Sequence, residues 1–165
     1  MIIYEEILRA FQKAKVKYIL VGGIALNLHG ALRATADLDI LVEMSDENLA
    51  KIVSILRNRG YQVRQPVDPM GIADAEIRKD WIRNKHMKAF NFFKGRELEE
   101  VDIIIDSPVS YAAASKQTKK IKIDGILLPL ISIEHLIQMK RGTGREIDRL
   151  DVAQLKKIKK LRRSK

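Results

Sequence analysis

Two aspartates inside an apolar segment constrain this chain more than any other feature of its sequence. Asp37 and Asp39 flank Leu38, and apolar residues 40–42 follow them, which is the composition of a buried β-strand. A buried carboxylate without a partner costs several kcal/mol, or its pKa shifts until the group is neutral. Two carboxylates on one such strand therefore require a nearby positive charge, and a divalent metal ion supplies that charge in a single group.

The alternation of side chains along a strand sets the expected geometry of this pair. Successive side chains point to opposite faces of a sheet. Asp37 and Asp39 are therefore expected on one face, with Leu38 and Ile40 on the other face and in the core. Two carboxylates on one face can bridge a pair of hard cations of the Mg2+ type.

A pair of glycines precedes the aspartates. Gly22 and Gly23 end a short apolar strand predicted at 17–21. Glycine lets the backbone approach a ligand closely, and the helix predicted at 24–29 offers free N–H groups to an anion. A phosphate-binding site at the start of this helix and a metal-binding site at the carboxylates are what phosphoryl or nucleotidyl transfer requires.

A third carboxylate of the predicted site is expected on another strand. It would bind the metal that activates the attacking hydroxyl and could accept the hydroxyl proton. The candidates are Asp102, within the apolar strand predicted at 100–105, and Asp106, at the end of that strand. Asp102 is preferred because a carboxylate at a strand end is usually a turn residue. Asp106 stays the alternative.

These motifs resemble a known superfamily. Gly22-Gly23, a short helix and then the segment 33–39, Arg-Ala-Thr-Ala-Asp-Leu-Asp, resemble the DNA polymerase beta-type nucleotidyltransferases. Within that superfamily they most resemble the small prokaryotic branch that includes the AbiEii-type toxins and the lincosamide and aminoglycoside nucleotidyltransferases. The segment 130–140 with Arg145 and Asp148 is similar to the Lys…Arg…Asp helical segment that closes many members of that branch. The resemblance covers almost the whole chain, roughly residues 16–155.

The resemblance implies a Mg2+-dependent transfer of a nucleoside monophosphate from a nucleoside triphosphate, such as ATP, to a hydroxyl acceptor, with release of pyrophosphate. Asp37 and Asp39 would hold two Mg2+ ions, with Mn2+ as the alternative metal, and Asp102 would complete the metal site and act as the base. All three aspartates are thus predicted to be both catalytic and metal-binding.

The resemblance also implies a nucleotide-binding set. Gly22 and Gly23 would cradle the triphosphate, although many superfamily members have serine at the second position, so that Gly23 leaves only backbone donors there. Arg33 and Thr35 could touch the triphosphate or hold the carboxylates. Lys140 is a phosphate-binding candidate. For Arg33 and Thr35 the alternative is a capped loop, and for Lys140 it is a solvated helix lysine.

The rest of the pattern alternates strands with helices and then pairs strands locally. Helices are predicted at 2–15, 24–29, 45–58, 74–84, 110–116, 133–141 and 145–161. Strands are predicted at 17–21, 37–42, 61–64, 87–93, 100–105, 121–123 and 126–130, with a loop at 66–71 and a turn at 94–96. We therefore expect an α/β (α+β) fold of the nucleotidyltransferase type, a mixed β-sheet covered by helices with a short helical C-terminal segment.

Charge and composition bear on the partners. The chain has 165 residues and a net charge of +10, and a single nucleotidyltransferase domain is expected at 1–155 with a basic helix end or tail at 156–165. The basic tail favours tRNA or another nucleic acid as acceptor, while a protein hydroxyl and a small antibiotic stay compatible. The chain lacks cysteine and any apolar run long enough for a membrane helix, so a cytoplasmic protein without membrane contact is expected.

A second interpretation of the sequence is non-enzymatic. The chain could be a catalytically silent nucleotide- or RNA-binding module of a toxin–antitoxin-like system, or a structural partner of another protein. The presence of all three aspartates argues against it.

Overall fold

The candidate residues lie on one mixed β-sheet and on the segments that border it. The structure, a computed structural model, describes residues 3–95 and 99–164. Within these residues the strands are β1 Tyr18–Leu20, β2 Leu38–Val42, β3 Gln62–Val63, β4 Ala89–Lys94, β5 Glu99–Ile104, β6 Lys119–Ile123 and β7 Ile126–Leu130. The α-helices are α1 Glu5–Lys13, α2 Gly22–Leu28, α3 Asp46–Arg57, α4 Ala75–Arg83, α5 Tyr111–Ser115, α6 Ile133–Lys140 and α7 Glu146–Arg163.

The strand order places the aspartate strand at the centre of the sheet. In the described part of the chain the order is β3-β4-β5-β2-β1-β7-β6. The pairs β2–β5 and β1–β7 are parallel, and the other four neighbouring pairs are antiparallel. The parallel pair β2–β5 requires a long crossover, which α3, β3, α4 and β4 provide. The predicted architecture, a mixed β-sheet covered by helices, is confirmed.

The apolar residues of the sheet form one continuous core. Leu38 and Ile40 of β2 are buried, as the alternation predicts, and Leu41 is buried on the opposite face. Trp81 of α4 stacks on Phe90 of β4 with the ring centroids 5.0 Å apart, and both rings are buried. These rings therefore contribute to the core.

Several element boundaries differ from the prediction. β2 begins at Leu38, one residue after the predicted start, and α2 begins at Gly22, so that both glycines lie in the first helical turn. Part of the predicted loop 66–71 is a 3-10 helix, Pro69–Ala73, because the Asp68 side chain caps it by accepting a bond from the Met70 N–H. Of the predicted helix 2–15, residue 2 lies outside the described residues, as does residue 96 of the predicted turn.

The C-terminal segment is helical. α7 runs without interruption from Glu146 to Arg163, so the segment 156–163 continues the helix that begins within the predicted domain. Among the helices of residues 3–95 and 99–164, none combines the length and the apolar composition that a bilayer-spanning helix needs.

The buried Asn48 side chain joins the beginning of β1 to the end of β2. Its Oδ1 accepts a bond from the Lys17 N–H at 2.9 Å, and its Nδ2 donates to the carbonyls of Lys17 (2.9 Å) and Glu43 (3.0 Å). These three bonds satisfy backbone groups where the antiparallel pairing of β1 with β2 begins.

Replacement of Asn48 is expected to destabilise the whole sheet. Asn48→Ala removes all three bonds and leaves the Lys17 N–H and the Glu43 carbonyl without this partner, and we expect a loss of about 2–4 kcal/mol in the free energy of unfolding. Urea denaturation measures the loss. Asn58→Ala is the control because Asn58 is exposed at the end of α3; equal losses in the two variants would contradict this role of Asn48.

Candidate active site

The pairing of β2 with β5 brings two of the predicted carboxylates side by side. Asp39 and Asp102 are register partners in this parallel pair. Neighbouring strands lie about 4.8 Å apart, and residues in register share a face of the sheet. Two carboxylates that are 63 positions apart in sequence therefore form an adjacent pair, as a site built from both strands requires.

The Asp39 carboxylate occupies space that only a glycine leaves open. A Cβ atom on Gly22 would lie 1.9 Å from the Asp39 Oδ2 atom and 2.5 Å from its Cγ atom. Gly22 also has a φ of +66°, a left-handed conformation that L side chains rarely adopt. Gly22 is therefore required both by its backbone conformation and by the carboxylate that packs against it.

The environment of Asp39 disfavours its charged form. Burial, together with the negative charges of Asp102 and Asp37, raises the pKa of Asp39 to about 7. The Lys140 charge and a hydrogen bond from the Gly23 backbone lower the pKa, but they do not offset the burial. The described side chains around Asp39 therefore carry more negative charge than positive charge.

Gly23 makes room for a second predicted residue. A Cβ atom on Gly23 would lie 2.5 Å from the Thr35 Oγ1 atom and 2.7 Å from its Cβ atom. The glycine pair therefore has two structural tasks: Gly22 admits the Asp39 carboxylate and Gly23 admits the Thr35 side chain. The sequence predicted both glycines and both partners, but as phosphate-binding and metal-binding groups that need not touch.

Asp37 lies at the edge of the pair. It is exposed and directly precedes β2, and its charge raises the pKa of both Asp39 and Asp102. In the described residues, no three aspartate, glutamate or histidine side chains are close enough together to hold a metal ion between them. The structure therefore brings Asp39 and Asp102 together most closely, with Asp37 within electrostatic range.

A neighbouring amide orients Asp102. Asn91 of β4 is its register partner on the other side, and the Asn91 Nδ2 donates to the Asp102 Oδ1 at 2.8 Å and to the Glu100 Oε2 at 2.9 Å. Burial raises the pKa of Asp102, the bond from Asn91 lowers it, and the charges of Asp37 and Glu100 raise it again. No other described side chain bonds to the Asp102 carboxylate, so its Oδ2 is free to accept a proton.

A buried tyrosine connects the segment before Asp37 to β5. The Tyr4 hydroxyl donates to the Ala36 carbonyl at 2.6 Å and accepts from the Glu100 N–H at 3.0 Å. The β2–β5 ladder begins at Leu38, so the hydroxyl bridges two strands at the point where they separate. Burial raises the pKa of Tyr4 to about 12, which keeps its proton in place for the bond to Ala36.

Arg33 is held by the C-terminal helix. It forms an ion pair with Asp151 of α7. Asn27 of α2 fixes the backbone of Arg33, because its Oδ1 accepts from the Arg33 N–H at 2.9 Å and its Nδ2 donates to the Arg33 carbonyl at 2.8 Å. In this structure Arg33 therefore anchors the segment that leads to Asp37 onto α7.

Lys140 lies at the centre of a charge network. Its Nζ atom is 2.7 Å from the Asp151 Oδ2 and 3.2 Å from the Asp148 Oδ1, and its side chain is only 9% exposed. The alternative of a solvated helix lysine is therefore wrong for Lys140. Asp148 also accepts bonds from Thr143 (2.7 Å) and Arg145 (2.6 Å), which together with Lys140 lower its pKa despite its burial.

Three residues near the site were not identified from the sequence. Asn91 stands alone among the aromatic residues of β4, and a lone amide in such a strand is a signal that could have been used. Tyr4 gave no signal, because its two partners are 32 and 96 positions away. Asp151 gave no signal either, because its contact with Arg33 depends on the packing of α7.

Comparison with known families identifies a match over most of the chain. A family model described as aminoglycoside-2''-adenylyltransferase matches residues 4–155. Both the carboxylate pair and the charge network of α7 fall within that range. The comparison with curated proteins finds no match.

Solved structures with the same fold include two antibiotic adenylyltransferases. The chain is similar to the lincosamide antibiotic adenylyltransferase LnuA, in a lincomycin-bound structure, with a TM-score of 0.59 and 21% identity over 92% of this chain and 93% of that chain. It is also similar to ANT(2'')-Ia in complex with adenylyl-2''-tobramycin, with a TM-score of 0.55 and 16% identity over 96% of this chain and 92% of that chain. At these identities the similarity shows the fold alone, and it confirms the predicted fold of the nucleotidyltransferase type.

Gly22→Ala is expected to displace the Asp39 carboxylate. The added methyl group overlaps that carboxylate, so we expect nucleotidyl transfer to fall by about 100-fold. Gly125→Ala is the matched control, because Gly125 also has a positive φ, of +81°, and a Cβ atom at that position would have no neighbour within 4 Å. The control should lose about 1 kcal/mol of stability and keep its activity. Equal activity losses in both variants would contradict the steric role of Gly22.

Tyr4→Phe is expected to leave the Ala36 carbonyl and the Glu100 N–H without their shared partner. We expect a loss of about 1–3 kcal/mol in stability and a lower rate of nucleotidyl transfer, because the segment that leads to Asp37 loses its attachment to β5. Thermal unfolding and an assay of nucleotidyl transfer measure the two effects. Tyr18→Phe is the control because its buried hydroxyl has no partner among the described residues. A rate of transfer that is unchanged in Tyr4→Phe would limit Tyr4 to a purely structural role.

Proposed function

The chain belongs to the aminoglycoside-2''-adenylyltransferase family, and we propose that it transfers a nucleoside monophosphate, with ATP as the donor, to a hydroxyl acceptor. One observation carries the proposal at the level of residues. Asp39 and Asp102 are in register on adjacent strands, and the Asp39 carboxylate fits against Gly22, where any side chain would collide with it.

The carboxylates fit Mg2+. Carboxylate oxygens are hard ligands, and Mg2+ usually binds one or two carboxylates together with substrate phosphates instead of a cage made by protein alone. A pair of carboxylates with Asp37 nearby agrees with this mode, since no three described side chains form a cage. Asp37, Asp39 and Asp102 would be divided between two Mg2+ ions, with substrate phosphates as the remaining ligands and Mn2+ as the alternative metal. When bound, Mg2+ supplies charge neutralisation to the phosphates and to the attacking oxygen.

The transfer itself balances as a simple displacement. The acceptor oxygen forms a bond to the α-phosphorus of the triphosphate, and the bond from that phosphorus to the bridging oxygen of pyrophosphate breaks. The hydroxyl proton passes to the Asp102 Oδ2 atom, the carboxylate oxygen that Asn91 leaves free.

The nucleotide-binding residues are proposed on charge and position. Lys140 is the described cation that acts on Asp39, so it is suited to the phosphates next to the metal. Arg33 shares Asp151 with Lys140, and phosphate oxygens could replace that carboxylate as a partner. Gly22 and Gly23 would contribute backbone donors to the triphosphate, and the Thr35 hydroxyl lies beside Gly23.

The acceptor is proposed at the level of a hydroxyl group. The structures similar in fold include lincomycin-bound LnuA and ANT(2'')-Ia with adenylyl-2''-tobramycin, which favours the hydroxyl of a small molecule. A tRNA or protein hydroxyl and membership of the AbiEii-type branch stay predictions, as does the silent binding module of a toxin–antitoxin-like system. That alternative predicts tight binding of Mg2+ and a triphosphate without release of pyrophosphate.

The transfer can be tested with labelled triphosphates. The protein is incubated with Mg2+, with α-labelled ATP, CTP, GTP or UTP, and in turn with lincomycin, tobramycin and bulk tRNA. We expect label on one acceptor and a decrease of about 10²–10⁴-fold in Asp102→Asn. Asp106→Asn is the matched control, because Asp106 is the exposed carboxylate at the end of the same strand. Loss of transfer in the control instead of in Asp102→Asn would reject the assigned base.

Asp39→Asn is expected to stabilise the metal-free protein at alkaline pH. In the folded chain Asp39 keeps its proton up to about pH 7, whereas the unfolded chain releases it at about pH 4. The folded state therefore binds more protons between these values, and its stability falls as the pH rises through them. At pH 8 in a chelator, we expect a higher melting temperature for Asp39→Asn than for the parent chain.

Addition of Mg2+ should reverse this order. The metal compensates the Asp39 charge in the parent chain and raises its melting temperature, while Asp39→Asn responds little. Asp46→Asn is the control, since Asp46 is an exposed aspartate in the first turn of α3. A Mg2+ response that persists in Asp39→Asn would contradict the metal site without reference to activity.

A further inference from the structure

The outer face of α7 carries a line of cations. Arg149, Lys156, Lys160 and Arg163 are all exposed, and we call them the cationic stripe. With about 100° between successive helical residues, the four lie within roughly 60° of one another around the axis. The stripe extends along the helix for about 21 Å, given a rise of about 1.5 Å per residue.

Two other cations of the same helix are used to dock it. Lys159 pairs with Glu134 of α6 at 2.8 Å, and the Arg162 Nη2 donates to the His29 carbonyl at 3.0 Å. Leu155 and Asp151 are buried on the same inner side. In the described part of the chain, by contrast, no residue of the cationic stripe forms an ion pair. The division of roles shows that the stripe is not needed to hold α7 in place.

Helix stability alone does not explain the stripe. Cations at the end of a helix suit its dipole, which accounts for Lys160 and Arg163. Arg149 lies in the first turn of α7, where a cation is unfavourable. Like charges spaced by three or four residues, such as Lys156 with Lys160, cost a few tenths of a kcal/mol each. A polyanion bound along the face would remove both penalties.

The stripe is continuous with a cationic pocket beside the candidate active site. The pocket, of about 490 Å3, lies at the connection of α6 to α7, and Lys140, Arg141, Arg145 and Arg149 line it without any acidic residue. Arg149 belongs to both features. The cations of the pocket and those of the stripe therefore meet at Arg149, although Lys140 and Arg145 are themselves paired with Asp148 and Asp151.

We propose that the cationic stripe binds the phosphate backbone of a nucleic acid. The length of about 21 Å corresponds to about six phosphates of one strand at about 3.4 Å each. Regular spacing of negative charge over that distance distinguishes a nucleic acid from a single phosphate or a small anion. This binding function does not depend on the proposed transfer, because it can occur with or without the carboxylates.

Binding of a labelled RNA measures this function directly. The probe is a fluorescein-labelled single-stranded RNA of about 20 nucleotides, titrated with the full chain between about 50 and 200 mM salt. The variant replaces all four stripe residues by glutamine. We expect it to lose roughly tenfold or more in affinity, and the slope of log K against log salt to become shallower by about 3.

A charge-matched control separates the stripe from the net charge. Lys13, Arg83, Lys85 and Lys88 are exposed cations on other elements, and their replacement by glutamine removes the same four charges. This control should change the affinity by less than about twofold. Circular dichroism checks that both variants are folded. Equal losses in the two variants, or RNA binding that is unaffected by either, would overturn the proposal.

Two further measurements distinguish RNA binding from membrane binding and from nucleotidyl transfer. Vesicles containing phosphatidylserine test a membrane surface, and stripe-dependent binding to vesicles but not to RNA would also overturn the proposal. Asp102→Asn should bind the RNA as the parent chain does, since it keeps the stripe. RNA binding by this variant together with loss of nucleotidyl transfer would therefore support both proposals independently, and failure of one would not be mistaken for failure of the other.

Discussion

The parallel pairing of β2 with β5 is the constraint on which the candidate site depends. It sets Asp39 beside Asp102, although the two strands are separated by α3, β3, α4 and β4. Each carboxylate is carried on a strand whose neighbouring residues are buried, so neither can move away from the other without disturbing the core. The raised pKa of Asp39 is the electrostatic consequence of this enforced proximity together with burial.

The surrounding residues stabilise the adjacent carboxylates of Asp39 and Asp102. Gly22 leaves space for the Asp39 carboxylate, a hydrogen bond from Asn91 stabilises the charged form of Asp102, and the positive charge of Lys140 stabilises the charged form of Asp39. Lys140 is itself held by α7 through Asp151, which also holds Arg33. The C-terminal helix is thus connected to the carboxylate pair through charged groups. The candidate site therefore depends on elements from both ends of the chain.

Local patterns predicted the parts of the fold that depend on short-range rules. The alternation in β2 placed Leu38 and Ile40 in the core, and the helix predicted at 45–58 is α3, whose N-cap Ser45 accepts a bond from the Asn48 N–H. Boundaries next to the site were less accurate, since α2 begins at Gly22 and β2 at Leu38. A positive φ at a helix start cannot be read from a glycine pair, because either glycine could adopt it.

The sequence by itself determined which residue types form the site. Two aspartates in one apolar strand and a third in another require positive charge, and this holds for any fold that buries those strands. Only the tertiary structure decided the partners, because register, crossover and helix docking depend on contacts between distant residues. In the tertiary structure Asp102, and not Asp106, lies beside Asp39. Gly22 leaves the space that the Asp39 carboxylate occupies, and Arg33 pairs with Asp151. The charge pattern of α7 likewise became a surface only once the docking of its inner face had left the cationic stripe exposed.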